Sequence, residues 1–220
     1  MFQSHLQSRG QSLSPLDTIT ADLMGKFDEA APHNGSYALT IRDSGSSYGE
    51  CHIITRKSDS STILFHVLAT WETKTGKKVK SFCSYNGGEF CNNAIEAWYQ
   101  LCGITHEKSL PYYHKQNGSI EHYNQSIADM GRTFLHESGL PMQFWGFAFM
   151  WAAHLQNLLP NSCTGRNTPI ELFLNKEPCY NQIQLFGKLA YVHIPREKRQ
   201  KINCRAVEGC VMMFLNNSKG

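Results

Sequence analysis

The sequence has few of the features that mark the more specialised classes of protein. No apolar run reaches the roughly 18 residues that a membrane-spanning helix needs, and the opening "MFQSHLQSRGQSLSPLD" has no apolar core of a signal peptide. Charged residues make up only 18% of the chain, and the formal net charge is +3. We therefore expect an intracellular protein, in the nucleus or the cytoplasm, without a membrane partner. The charge alone favours no other partner.

The cysteines also exclude two classes of small module. None of the eight forms a C-x-x-C pair, which fits neither a zinc ribbon nor a compact disulfide scaffold and favours free thiols. With 41% hydrophobic residues and 12 Phe, the chain is not disordered by composition. Its 220 residues predict one core domain with extensions: a flexible amino terminus at 1–14, a core at 15–160 and a tail at 161–220.

Hydrophobic patterning predicts a mixed sheet. Strands are expected from Leu16 to Gly25, at 37–42, 52–55, 79–84 and 104–107, with helices from Ser58 to Gly76 and at 94–101. Three strands, a helix, a strand, a helix and a strand indicate an α/β fold with helices on the faces of a mixed sheet.

The chain after residue 108 is predicted to contain a loop, then helices, and then a β-rich tail. "SLPYYHKQNGS" at 109–119 is typical of a loop, and an apolar stripe at helical spacing begins at Ile120. Glu121 and Asn124 then share an adjacent stripe in the first turn of that helix. A further helix follows Pro141. After it, Thr168-Pro169 can cap a short helix, and "GKLAYVHIP" and "GCVMMFL" predict a β-rich tail.

Acidic residues and a glycine turn stand where the ends of these elements can meet. Asp22 is near the exit of the first strand, the turn Asn86-Gly87-Gly88 follows the fourth, and Glu121 opens a helix. In a sheet of this order the first and fourth strands can be neighbours. Carboxylates at those places would coordinate Mg²⁺, and two such ions suit in-line phosphoryl transfer.

These segments carry a resemblance to a known family. "PLDTITADLMG", "YNGGEFCNN" and "GITHEKSLPYYHKQNGSIEHYNQS" resemble motifs of the integrase core of copia-type long-terminal-repeat retrotransposons, and the likeness covers about residues 15–215. The resemblance implies a ribonuclease-H-like fold, an Asp, Asp, Glu triad that binds Mg²⁺ or Mn²⁺, and DNA integration. Asp22 would be the first ligand and Glu121 the third.

The second aspartate of the triad is replaced. Family members separate it from the glutamate by 35 residues, and 35 residues lie between Tyr85 and Glu121, so Tyr85 holds its place. A phenol with a reference pKa near ~10 is neutral at pH 7 and brings no charge to a hard cation. We therefore expect strongly impaired strand transfer in this copy.

The resemblance also implies partners: the DNA of the element ends and of the target, RNA as a second nucleic acid, and further copies of the chain as a homo-oligomer. The residues that could stack on bases or contact phosphates are Tyr113, His114, Lys115, Gln116, Asn117 and Arg132.

Alternatives to each of these interpretations remain open. The segment 112–116 could be a plain surface loop, Asp22 an ordinary solvated acid, and Glu121 an acid favoured by the helix macrodipole. For the whole chain, the alternative is a non-catalytic nucleic-acid-binding or interaction module that keeps the fold.

Overall fold

A five-stranded mixed sheet forms the centre of the computed structural model, which describes residues 13–84, 90, 93–108, 114–180, 183–200, 202 and 204–212. In chain order its strands are β1 Thr18–Met24, β2 Tyr37–Asp43, β3 Gly49–Ile54, β4 Ser81–Ser84 and β5 Thr105–Lys108. They lie in the order β3-β2-β1-β4-β5. The predicted α/β fold is confirmed, although β3 begins three residues before the expected start at His52.

The two strands that lead to the predicted site are neighbours in the sheet. β1 pairs in parallel with β4 and antiparallel with β2. Ala21 lies opposite Ser84, so Asp22 comes one residue beyond the last β1–β4 pair. The expected adjacency of the first and fourth strands is therefore confirmed.

Helices cover both faces of the sheet. In the described part of the chain they are α1 Ser60–Thr75, α2 Asn93–Cys102, α3 His114–Ser138, α4 Trp145–Leu158 and α5 Pro169–Leu174. α1, α2 and α5 share one core with Ile19 and Ala21, whereas α3 and α4 form the other core. Because successive strand residues face opposite sides, Asp22 is directed to the side of α3 and α4.

Two helix ends follow local signals that the sequence contains. α1 ends at Gly76, whose φ of 68° is left-handed and whose N–H donates to the Glu72 carbonyl at 2.8 Å. α5 begins at Thr168, which accepts a hydrogen bond from the Glu171 N–H while its own N–H donates to the Glu171 carboxylate at 2.6 Å. The predicted helix stop and the predicted cap at Thr168-Pro169 are both confirmed.

The start of α3 differs from the prediction. The helix begins at His114, so 114–119 are helical rather than part of a loop. A glycine such as Gly118 costs a helix only about 1 kcal/mol. A 25-residue helix that buries Ile120 and Ile127 against the sheet outweighs that cost.

α4 is fixed both to the sheet and to α3. The buried side chain of Asn157 accepts a hydrogen bond from the Gly49 N–H at 2.9 Å and donates to the Gly49 carbonyl at 2.7 Å. On the other side, Gly131 of α3 lies so close to Phe149 of α4 that a Cβ at position 131 would stand 2.5 Å from the ring. The two helices therefore approach closely where they cross.

The tail contains a second, smaller sheet. β6 Leu189–His193 and β7 Ala206–Cys210 pair antiparallel, so the expected β-rich character of the tail is seen in the described residues. Both strands expose apolar side chains such as Tyr191 and Val207. Across the described ranges, no helix is long and apolar enough to cross a membrane.

Candidate active site

Asp22 and α3 are joined by a hydrogen-bonded amide. Asn124 Nδ2 donates to Asp22 Oδ2 at 2.7 Å, and Asn124 Oδ1 accepts from the Thr40 hydroxyl at 2.6 Å. Thr40 is fully buried and also lies 3.2 Å from the Asp22 carbonyl oxygen. One side chain of α3 therefore holds the carboxylate of β1 in a single orientation against β2.

Glu121 lies one helical turn before this amide. Residues three apart on a helix are neighbours on its surface, so Glu121 and Asn124 share the stripe that the sequence predicts. Glu121 is exposed. Because α3 begins at His114, however, Glu121 is in the second to third turn rather than the first. The macrodipole interpretation of this acid is therefore wrong, since that effect falls off within the first turn.

The described residues do not assemble a complete metal site. Within them, no group of three or more His, Cys, Asp or Glu side chains is placed to hold a metal ion. Asp22 of β1 is joined to α3 through Asn124, and Glu121 lies one turn before Asn124 on that helix. Tyr85, which is predicted to hold the place of the second aspartate, lies outside the described residues.

A second hydrogen-bonded network includes Ser84, the last residue of β4. The Ser84 hydroxyl lies 2.8 Å from His106 Nε2, and His106 Nδ1 lies 3.0 Å from the Glu96 carboxylate. Ser84 and the His106 side chain are almost fully buried, at 2% and 4% exposure. Since a carboxylate can only accept hydrogen bonds, the geometry favours the tautomer in which Nδ1 carries the proton and Nε2 accepts from Ser84. The serine-histidine-glutamate chain thus links α2 and β5 to the end of β4.

Sequence reasoning missed the roles of both networks. The sequence places Asn124 beside Glu121 on one stripe of a predicted helix, and an amide next to a candidate metal ligand is a usable signal for such a role. The second network had no such signal, because its three members come from a strand end, a helix and another strand.

The structure describes only some of the residues that are predicted to contact nucleic acid. Tyr113 lies outside the described residues. The backbone of 114–117 belongs to α3, while the side chains of His114, Lys115, Gln116 and Asn117 are outside the described part. Arg132 is exposed and pairs with Asp129 at 2.9 Å. It lies eleven residues after Glu121 on nearly the same side of α3, about 16 Å along the axis.

The five-stranded mixed sheet with its flanking helices defines a ribonuclease-H-like core. Among solved structures, the chain is similar to the HTLV-2 integrase catalytic core domain in complex with magnesium, in a trimeric form. The TM-score is 0.55 at 15% identity, over 74% of this chain and 99% of that one. At this identity the likeness shows the fold alone, and it confirms the ribonuclease-H-like α/β prediction.

Sequence relatives make the assignment more particular. The chain is 31% identical over 202 residues to the retrovirus-related Pol polyprotein from transposon TNT 1-94 of Nicotiana tabacum, and 25% identical over 207 residues to that from transposon RE1 of Arabidopsis thaliana. These matches cover 91% and 94% of this chain but only 15% and 14% of the two polyproteins. No protein-family model matches the chain.

The homologues of this chain are therefore retrovirus-related Pol polyproteins of copia-type transposons, and its fold is that of a retroviral integrase catalytic core. The resemblance drawn from the sequence is confirmed at this level, and the homology supports a retrotransposon integrase domain.

Proposed function

We propose that this chain is the integrase core of a retrotransposon polyprotein, descended from an enzyme that joins DNA by metal-dependent phosphoryl transfer, and that Tyr85 impairs the chemistry in this copy. The observation that carries the proposal is the Asp22–Asn124 hydrogen bond, which joins an acid of β1 to the helix that carries Glu121 on an integrase-core fold.

The side chains at the three ligand positions do not fit a pair of divalent cations. Mg²⁺ and Mn²⁺ favour oxygen ligands, above all carboxylates, and Asp22 and Glu121 supply two of them. The phenol of Tyr85 is neutral at pH 7 and leaves the site one negative charge short. We therefore derive no metal-dependent step for the chain as it is. Asn124 has a role that does not depend on a metal ion, because its hydrogen bond fixes the orientation of the Asp22 carboxylate.

The partners belong to the same proposal. The proposed partners are the DNA of the element ends and of the target, with RNA as a second nucleic acid, in the nucleus or the cytoplasm. Contacts would come from Tyr113, the 114–117 segment and Arg132. Support for a homo-oligomer and for magnesium comes from the HTLV-2 core, which was solved in a trimeric form and with that ion.

A single substitution tests the proposal. We expect the unaltered chain to show background activity in a strand-transfer or nicking assay with Mg²⁺ or Mn²⁺. Tyr85→Asp restores the missing carboxylate and is expected to raise activity well above that background. Tyr85→Asn is the matched control, since it removes the phenol without adding a charge, and it is expected to stay at background.

The other outcomes of this assay are equally informative. Turnover by the unaltered chain equal to that of Tyr85→Asp would show that Tyr85 does not impair the site. No activity in any variant, with salt-sensitive DNA binding retained, would favour a non-catalytic nucleic-acid-binding module. The tyrosine at position 85 also favours the non-catalytic module, because a protein that only binds DNA does not need a carboxylate at that position.

A further inference from the structure

A cleft lies beside the amino-terminal half of α3, and Glu121 does not line it. It has a volume of about 730 Å³ and runs between α3 and the segment 159–163 that follows α4. Arg42 forms part of its wall, together with Ser119, His122 and Ser126. We call it the Arg42 cleft. Arg132, the predicted nucleic-acid contact whose side chain the structure describes, does not line it.

Arg42 is held in place with part of its hydrogen-bonding capacity unused. Its Nη1 donates to the Ser119 carbonyl at 2.8 Å and to the Ser119 hydroxyl at 2.7 Å. The guanidinium carbon lies 5.2 Å from the centre of the Tyr123 ring. The Nε atom is buried and has no hydrogen-bond partner in the structure. The side chain is therefore fixed, with a donor left over.

No acid of the described residues forms an ion pair with this arginine. Asp129, the carboxylate in the described wall of the cleft, pairs with Arg132. Asp43, the next residue of β2, accepts from the Leu16 and Ser46 N–H groups instead. Burial raises the pKa of the Tyr123 phenol well above its usual value, so that ring stays neutral and cannot balance the charge.

Arg42 keeps its charge in this setting. Burial lowers the pKa of its guanidinium, but an arginine starts so high that it remains a cation in proteins. A partly buried, unpaired cation is costly unless an anion joins it. The planar fork of arginine suits the oxygens of a phosphate. The Ser119 hydroxyl, which accepts from Arg42, stands on the same wall and can donate its own proton, whereas the Ser126 hydroxyl donates to the His122 carbonyl at 2.8 Å.

We propose that the Arg42 cleft binds a phosphate group, and that the phosphate is one of the DNA backbone passing the candidate active site. Thr40, which contacts Asn124, lies two residues before Arg42 on the same face of β2, about 7 Å away along the strand. That separation spans about two nucleotide steps of one DNA strand at 3.4 Å per step. The choice of DNA rests on the proposed function; the binding of phosphate does not.

The test compares two substitutions, each of which removes one positive charge from the protein. Binding of a fluorescent DNA duplex is measured by anisotropy over a range of salt for the unaltered chain, Arg42→Gln and Arg56→Gln. Arg56 is an exposed arginine that pairs with Asp59 before α1. Loss of one phosphate contact is expected to weaken binding roughly tenfold and to lower the salt slope by about one in Arg42→Gln. Arg56→Gln is expected to change the affinity less than about twofold.

A second pair of variants leaves the Arg42 contacts untouched. Ser126→Glu places a negative charge on the cleft wall, and Ser126→Gln adds a side chain of the same size without charge. Only Ser126→Glu is expected to weaken DNA binding. Equal weakening by both variants would mean that the cleft is merely sensitive to crowding, which would overturn the proposal.

A third measurement separates the two sources of phosphate. The Arg42 Nε–H signal is followed by NMR in the unaltered chain during titration with inorganic phosphate and, separately, with the DNA duplex. Shifts in both titrations, with weaker DNA binding in Arg42→Gln, support the proposal. A shift with inorganic phosphate alone would overturn the DNA assignment and leave a site for free phosphate. No shift in either titration would overturn the cleft as an anion site, whatever the strand-transfer assay shows.

Discussion

Asn124 connects Asp22 of β1 to α3, and its removal is expected to give a measurable loss of stability. In Asn124→Ala, Asp22 Oδ2 loses a donor at 2.7 Å and the buried Thr40 hydroxyl loses an acceptor at 2.6 Å. The two losses differ in size. The first bond is to a charged group, whereas Thr40 keeps the Asp22 carbonyl at 3.2 Å as a second partner.

The magnitude follows from these two bonds. A hydrogen bond to a charged group contributes about 1.5–3 kcal/mol, and one between neutral groups about 1 kcal/mol. Alanine favours a helix interior slightly more than asparagine does, which offsets a few tenths of a kcal/mol. We expect Asn124→Ala to lower the free energy of unfolding by about 2–4 kcal/mol, a large fraction of the stability of an ordinary domain.

Urea denaturation at pH 7 measures the change, with Gln125→Ala as the control. Gln125 is the exposed neighbour on the same helix, so its substitution reports truncation at an exposed site of α3 and is expected within about 0.5 kcal/mol of the unaltered chain. A difference of less than about 0.5 kcal/mol between the two variants would refute the reasoning that Asn124 holds the carboxylate in place.

Two further predictions concern the supports of the site. Asn157→Ala leaves the N–H and the carbonyl of Gly49 without their side-chain partner, and the free energy of unfolding in urea is expected to fall by about 2–5 kcal/mol; a fall of less than about 1 kcal/mol would contradict it. The ring ¹⁵N shifts of His106 are expected to show a proton on Nδ1 in the unaltered chain and in Glu96→Gln, and a mixture of tautomers in Glu96→Ala, which removes the acceptor. A proton found on Nε2 in the unaltered chain would contradict the proposed direction of the network.

Much of the fold could be predicted because its signals are local. The stop of α1 at Gly76 and the cap at Thr168 depend on residues within one turn of each helix end. The pairing of β1 with β4 followed from the order of the elements along the chain. The start of α3 was missed because a local cost at Gly118 is outweighed by packing against distant strands, which no local pattern contains.

The motifs of the sequence single out Asp22 and Glu121, whose joint role as metal ligands stays a prediction, but they do not reveal the side chains that support them. Asn124, however, lies 102 residues from Asp22, and whether its amide meets that carboxylate depends on how α3 rotates on the sheet. The link between Ser84 and His106 depends in the same way on which face of β5 turns toward α2.

Because Gly131 lies so close to Phe149, a larger residue at position 131 would tilt α3 as a whole. Ten residues separate Gly131 from Glu121, so the acid stands about 15 Å from this pivot along the helix axis. A side chain at position 131 would act as a wedge between α3 and α4. A tilt of about 4° at Gly131 would displace Glu121 by about 1 Å. The absence of a side chain at Gly131 therefore determines the position of a residue about three turns away, on the scale at which the placement of a functional group matters.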